Sequence, residues 1–502
     1  MKLTRWLLLC LAFVGPLAAA NPISAQPATP AASPVAASNL TGLSSYEIDA
    51  TLDPNGAIAG IERVHYVNST GAALPDIAFR LYPNAAYYGD GSLTVSSVVV
   101  DGRTVKPAYL VAETVMVVTL AKKLKPNAAA DVNIAFTTVV PVNTTASYGI
   151  LTRHSDTGDW ILSDWNPIVA GRDAHGWRMD APGDGGDPTF SDAAFYTAKI
   201  TAPSSLTIVA SGGDSKAATS SSTTVWTVAR TPLREFTFIA SPTMRRFDRP
   251  VGGHVVSAYL HPAENQTAIA KLVLDAATAA LKTYEPLFGA YPYHELDVID
   301  APLAGALGIS WTGLLFINGG LLFSSAEANS DRLQFTIAHE ISHQWWGALV
   351  GSNTNDHAFL AEGMANCSAV LFFLKSQGLD AAATQLDAQI ARPYLAALKG
   401  AGDGVVDRSS AATPPGPSLA VLIYGKAALG FLAMRETLGP AAFSAALRAY
   451  TNDFGWSVSQ PADLRAAFQA QTQDDIGPLW RHWFNSTDVT AADVQAVVAG
   501  LA

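Results

Sequence analysis

Apolar residues along this chain follow two rhythms, and the change between them limits the possible fold more than any other feature of the sequence. From Tyr46 they fall in short alternating runs broken by turn residues: YEIDATLD, the turn PNG, IAGIERVHYVN, then SLTVSSVVV, DG, RTVKPAYLV and TVMVVTLA. Strict alternation puts every second side chain on one face, the pattern of a half-buried strand. The texture continues through AFYTAKITAP, LTIVASGG, TTVWTVA and EFTFIASP and ends near Arg246. After about Val256 the apolar positions take helical spacing, first in IAKLVLDAATAALKTYEPLF and then in Ala/Leu-rich stretches to the C-terminus. The expected fold is α+β with two domains: an N-terminal antiparallel β-sandwich over 41–250, then a mainly helical domain over 251–502. A length of 502 residues suits two cores better than one.

The first residues, MKLTRWLLLCLAFVGPLAAAN, carry Lys2 and Arg5, an apolar run from Trp6 to Val14, a Gly15-Pro16 break and the small residues Ala18, Ala19 and Ala20. This is the pattern of a secretory signal peptide over 1–20. The apolar run is shorter than the roughly 20 residues that span a bilayer, so an uncleaved membrane anchor is the alternative reading. No later stretch is long and apolar enough to cross a membrane. Residues 21–40 hold mostly small residues and prolines, with nothing to offset the entropy of ordering, and are expected to be a linker. The expected location is secreted or periplasmic. Cleavage removes Cys10 and leaves Cys367 alone, so an oxidising compartment would find no internal disulfide to form. It also leaves 29 basic residues against 42 acidic ones, and that balance argues against a nucleic-acid partner.

Within SDRLQFTIAHEISHQWWG lies His339-Glu340-Ile341-Ser342-His343, with Ser330 expected to cap a helix start and Gly347 to close its end. Residues four apart on a helix lie one turn above each other, so both imidazoles can reach one zinc ion with Glu340 beside its open face. Glu340 is then placed to take a proton from zinc-bound water. A catalytic zinc needs three protein ligands and one open position, and Glu362 in HAFLAEGMANCSAVLFFL, on a following amphipathic helix, is the candidate third ligand. One Zn2+ ion is expected.

HEISHQWWG, eighteen further residues and then Glu362-Gly363 resemble the zinc signature of the M1 family of metallopeptidases, gluzincins related to aminopeptidase N and leukotriene A4 hydrolase. FGAYPYHELDVID at 288–300 is similar to the segment leading into that family's substrate-binding strand, and YGKAALGFLAMRETLG at 424–439 to the segment with its catalytic tyrosine. The resemblance runs from about Tyr46 to the C-terminus. It implies a thermolysin-like helical zinc domain with a small sheet, in which His339, His343 and Glu362 are ligands, Glu340 is the general base and Tyr424 donates a hydrogen bond to the oxyanion. Zinc and a phenol aimed at the developing alkoxide suit amide hydrolysis on chemical grounds too.

One position departs from the family. Its aminopeptidases hold the substrate's free amine with a glutamate in a Gly-x-Met-Glu-Asn strand; in LGISWTGLLFI at 307–317 that place is taken by Ser310. A neutral hydroxyl holds an ammonium far more weakly than a carboxylate does. Gly308, Ile309, Ser310 and Trp311 are still expected to bind substrate, because an extended peptide can pair with their backbone whatever the side chains. Asp297, Asp300 and Glu295 are the nearby acids that could replace the missing anchor.

Three functions follow for a peptide or protein substrate. The first is a secreted, aminopeptidase-like zinc peptidase with altered amine recognition. The second is a zinc endopeptidase or another small-substrate hydrolase. The third is a catalytically silent, zinc-stabilised secreted binding or scaffold protein, which Ser310 favours and the retained Glu340 and Tyr424 oppose. About 60 residues follow Gly439, too few for the long helical region that encloses the cavity in larger family members, so a more open cleft is expected.

Other residues have plainer expectations. His357 suits a surface or capping role, Cys367 the core, and Trp345 and Trp346 packing of the zinc helix. Asp180, Asp184 and Asp187 are expected in a solvated turn, since their spacing is not that of an EF-hand.

Overall fold

The computed structural model describes residues 37–501 except 174, 182–188, 214, 325–326, 413 and 415. The expected signal peptide, most of the linker, Asp184 and Asp187 lie outside the described residues. The last linker residues form a single turn, Ala37–Leu40, and the Asn39 amide donates to the carbonyls of Asn452 and Gly455 in the C-terminal half.

The alternating runs form the sandwich. One sheet has eight strands in the order Ser215–Thr219, Thr223–Leu233, Ala194–Pro203, Ser45–Asp53, Ala57–Val67, Ala129–Val139, Ser92–Val100 and Arg103–Thr104. Four-stranded sheets built on Trp160–Leu162 with Phe238–Ser241, and on Leu74–Arg80 with Val115–Leu124, complete the β-rich half. In Ser45–Asp53 the residues Tyr46, Ile48, Ala50 and Leu52 are buried while Glu47 and Asp49 face water, so period two sets the inner face. The antiparallel expectation fails at one pairing: Ser45–Asp53 runs parallel to Ala194–Pro203, with the rings of Tyr46 and Tyr196 stacked at 4.4 Å. Those strands lie some 150 residues apart in sequence, so no turn dictates their direction. Glu62 also faces inward, its carboxyl accepting from Asn166 at 3.0 Å, and burial raises its pKa well above the usual range.

A five-stranded mixed sheet opens the second half, in the order Arg245–Val251, His254–Leu260, Glu295–Ala301, Leu314–Asn318, Gly308–Trp311. Its first hairpin, Arg245–Val251 with His254–Leu260, runs across the 250/251 boundary expected from the change of rhythm. Gly308–Trp311 is the outer strand and leaves one backbone edge unpaired within the sheet. Helices Gln266–Phe288, Glu327–Ser342 and Phe359–Ser376 pack together beside it. Phe359–Ser376 is buried from Phe359 to Phe373 apart from Glu362, as suits a helix that is apolar all round. Among the described residues no helix is long and apolar enough to cross a membrane.

Polar contacts that join the halves include clusters around Arg234 and His261. Arg234, wholly buried, donates to the carbonyls of Ser191 on its own side and of Ala348, Leu349 and Ser457 on the other. His261 lies between Asp159 of the sandwich at 2.7 Å and Asp300 of the mixed sheet at 2.8 Å.

Candidate metal centre and active site

The helix expected around Ser330 begins earlier, at Glu327, so Ser330 lies inside it rather than capping it. It ends at Ser342, and His343 sits on the turn that follows, where bonds such as His343 N–H to the Glu340 carbonyl tighten to i−3. Gly347, with φ of +128°, comes at the end of that turn. The two imidazoles still face one another, with Nε2 atoms 3.2 Å apart. Phe359–Ser376 crosses beside them and puts the Glu362 Oε2 at 3.3 Å from His339 Nε2 and 3.5 Å from His343 Nε2.

The other ring nitrogens show what these atoms are for. His343 Nδ1 is 2.9 Å from the Trp346 carbonyl, an acceptor, so that nitrogen carries the proton. His339 Nδ1 is 2.8 Å from the Asn366 side-chain oxygen. Both Nε2 lone pairs therefore point into the same space, and the buried Oε2 of Glu362, within ion-pair distance of both rings, makes no hydrogen bond of proper geometry. Three electron-pair donors within 4.8 Å of one another are repulsive unless a cation lies among them. Two imidazoles and a carboxylate are the ligand set of a catalytic zinc, and all three residues are those expected from the sequence.

These groups line a cavity of about 480 Å³ at the junction of the two halves, together with Glu340, Tyr424 and Gly308 to Trp311. Burial raises the Glu340 carboxyl above its usual pKa, against the opposing pull of the two histidines. Tyr424 sits on the π-turn Leu422–Lys426, and burial plus the Glu362 and Glu340 carboxylates hold its phenol well above the usual range, so it keeps its proton. Gly363 allows the Glu362 helix close to the helix that follows Tyr424: a β-carbon there would meet that of Ala427 at 2.6 Å.

Ser310 does not present its hydroxyl freely to the cavity. It accepts from the Gln344 side chain at 2.9 Å, and Gln344 also donates to the Trp311 carbonyl and accepts from the Gly313 N–H, clamping the outer strand to the turn that follows the His339 helix. The three acids expected near this strand are elsewhere: Glu295 is bound by Arg246 and Ser257, Asp300 by His261, and Asp297 is buried in its own strand. None of them lines the cavity. Among the described residues the carboxylates that do, besides Glu362 and Glu340, are Asp164 and Glu235. Asp164 accepts from the Tyr88 hydroxyl at 2.7 Å, and Glu235 lies 3.3 Å from both the hydroxyl and the N–H of Thr312. Neither carried a local sequence signal. Asn366 did, since it lies one helical turn beyond Glu362.

Of the plainer expectations, those for Trp345, Trp346, Cys367 and the exposed Asp180 match the geometry, while Asp184 and Asp187 lie outside the described residues. Trp345 and Trp346 are buried and bonded to the Gly289 carbonyl and the Ser368 hydroxyl, although Trp346 also touches the cavity wall. Cys367 is in the core, its thiol pushed up to about 12 by burial. His357 pairs with Asp407, and Asp180 with Arg178.

Residues 272–483, which contain the whole metal group and Tyr424, match the sequence model of the family described as "Peptidase family M1 domain". The chain carries a peptidase family M1 domain. Curated proteins similar to it include Aminopeptidase M1-A of Oryza sativa subsp. japonica, 28% identical over 231 residues, or 43% of this chain and 25% of that one. Aminopeptidase N of Haemonchus contortus is 27% identical over 222 residues, covering 41% of this chain and 22% of the relative. The alignments thus span about a quarter of the relatives' length. The β-rich half is matched by shape as well. The M1 zinc metallopeptidase from Deinococcus radiodurans superposes with a TM-score of 0.64 at 18% identity, over 89% of this chain and 94% of that one. A mutant of that metallopeptidase bound to a Tyr-Ser-Ala substrate gives the same score over 95% of its chain. The M1 domain and its sandwich therefore form a two-domain arrangement already seen in a solved structure.

Proposed function

We propose that the protein is a secreted zinc peptidase of aminopeptidase type that recognises the substrate's amino terminus differently from its relatives. The observation that carries this reading is the convergence of His339, His343 and Glu362 on one point in a cavity whose walls also hold Glu340 and Tyr424. A scaffold would have no use for the last two.

The residues divide the work of amide hydrolysis. The two imidazoles and Glu362 would hold a zinc ion, which would supply Lewis-acid polarisation of the scissile carbonyl and make water more acidic. Glu340, with its basicity raised by burial, accepts the proton of the attacking water on its carboxylate and returns it to the leaving nitrogen. The Tyr424 hydroxyl donates to the oxygen on which negative charge develops. The open edge of Gly308–Trp311 accepts an extended peptide as an added strand.

Asp164 and Glu235 receive the substrate ammonium in place of a carboxylate at 310. Their support is position: they line the same cavity, and Glu235 is tied to the turn that follows the substrate strand. The leader-like pattern of 1–20 supports action outside the cytoplasm. The test is a matched peptide series with free and acetylated amino termini, assayed on the zinc-loaded protein and its Glu235→Gln and Asp164→Asn variants. Cleavage confined to the free series, with KM raised in the variants, supports the reading. Equal cleavage of both series replaces it with an endopeptidase, and cleavage of neither with a scaffold.

A further inference from the structure

We infer that Asn366 is a positioning residue that couples the first zinc ligand to the oxyanion tyrosine through a single amide. This rests on the zinc-peptidase reading above.

Asn366 is four residues beyond Glu362 on the same helix, so the two project from one face toward the histidines. Its side chain is buried and makes two hydrogen bonds: the amide nitrogen donates to the Tyr424 backbone carbonyl at 2.7 Å, and the amide oxygen lies 2.8 Å from His339 Nδ1. The orientation of this amide follows from chemistry. A backbone carbonyl can only accept, so the nitrogen must face Tyr424 and the oxygen must face the ring. The oxygen in turn can only accept, so His339 Nδ1 carries the proton and its Nε2 is left as a lone pair toward Glu362 and His343. The Tyr424 carbonyl thereby fixes the tautomer of His339 from two bonds away.

His343 has no comparable link, because its orienting carbonyl, Trp346, lies three residues along its own chain segment. The coupling is also directional in residue type. Aspartate at 366 keeps the acceptor for His339 but has no donor for Tyr424. Leucine, of similar shape, keeps neither. An oxyanion donor must be placed to within a fraction of an ångström to act, and the π-turn that carries Tyr424 is held at this point by the Asn366 amide.

The experiment measures zinc affinity by chelator competition, and kcat on a free-amine peptide, for the parent, Asn366→Asp, Asn366→Leu, Tyr424→Phe and Asn366→Asp/Tyr424→Phe. Asn366→Leu is expected to bind zinc about 10–100-fold more weakly. Asn366→Asp is expected to keep parental zinc affinity, which also shows that it folds, yet lose about tenfold or more in kcat. That loss should shrink toward none on the Tyr424→Phe background, because the group it positions is gone. A purely structural role would move affinity and kcat together. Parental affinity in Asn366→Leu, or an undiminished kcat loss in the double variant, overturns the coupling. Failure of the parent itself to bind zinc defeats the underlying reading instead, so the two failures are distinguishable.

Discussion

Gly308 and Glu340 touch: a β-carbon built on Gly308 would stand 2.6 Å from both Cγ and Oε1 of the Glu340 side chain. The outer strand and Glu340, the proposed general base, thus share a space that admits no methyl group. Gly308→Ala must push the carboxylate or the strand aside, and misplacement on the order of an ångström costs about a hundredfold in rate. The variant should lose about that much in kcat/KM while its melting temperature stays near the parent's. Steady-state kinetics beside a thermal melt check it, and unchanged kcat/KM would show that Glu340 has room to spare.

Glu340 and Tyr424 should fail in different ways from the ligands. Glu340→Gln keeps the shape but not the base, so turnover should fall at least about 10²–10⁴-fold with stoichiometric zinc retained. Tyr424→Phe removes one oxyanion donor, and kcat should fall about 10²–10³-fold with KM little changed. Elemental analysis of each variant with its kinetics separates these from His339→Ala, which should lose the metal.

His261 makes stability depend on pH in an identifiable window. Burial alone would lower its pKa, but the hydrogen bonds and charges of Asp159 and Asp300 outweigh burial and push it up to about 10. A folded pKa above the unfolded value of about 6.5 means that the native state binds the extra proton between those limits. The contribution is therefore full below about pH 6.5 and lost as pH rises to about 10. Comparing the melting temperatures of the parent and His261→Asn across that range should show the gap between them narrowing with rising pH; a constant gap would refute the linkage.

Lys426, two residues beyond Tyr424, has a fully buried side chain bonded to Asp403 at 2.7 Å and to the carbonyls of Gly404 and Ser486. Removing the lysine leaves the Asp403 charge with only the neutral donors of Tyr394, Gly404 and Val489, and loss of one partner of a buried pair typically costs about 3–5 kcal/mol. Lys426→Met should lose about that much in urea unfolding, and adding Asp403→Asn should recover part of it.

What the sequence disclosed and what it withheld divide by distance along the chain. His339, His343 and Glu362 were legible because helical spacing converts a short pattern into geometry, even though His343 sits just past the helix end. Tyr424 and the change of architecture were legible through longer local patterns. The parallel pairing of Ser45–Asp53 with Ala194–Pro203 was not, since strand direction over such a separation is decided by the packed sheet. Asp164 and Glu235 reach the cavity from the sandwich, far from any motif, whereas Glu295, Asp297 and Asp300 lie close in sequence to the substrate strand yet are occupied elsewhere. Proximity along the chain was a poor guide to them. Ser330 offered a cap that the helix passes by, because its first turn starts three residues earlier.

The guanidinium at 234 gives the molecule a different kind of history. Three oxygens of the metal-bearing lobe, from Ala348, Leu349 and Ser457, are answered by a group that the other lobe lends across the seam. A chimera that took its sandwich from a relative lacking that arginine would inherit the ligands and the base but leave the Ala348 oxygen unanswered, and those of Leu349 and Ser457 with only the backbone N–H of Trp456 and Gly351. The lobes are therefore heritable as a matched set, and recombination between them is expected to succeed only where the borrowed partner brings its own donor to the same spot.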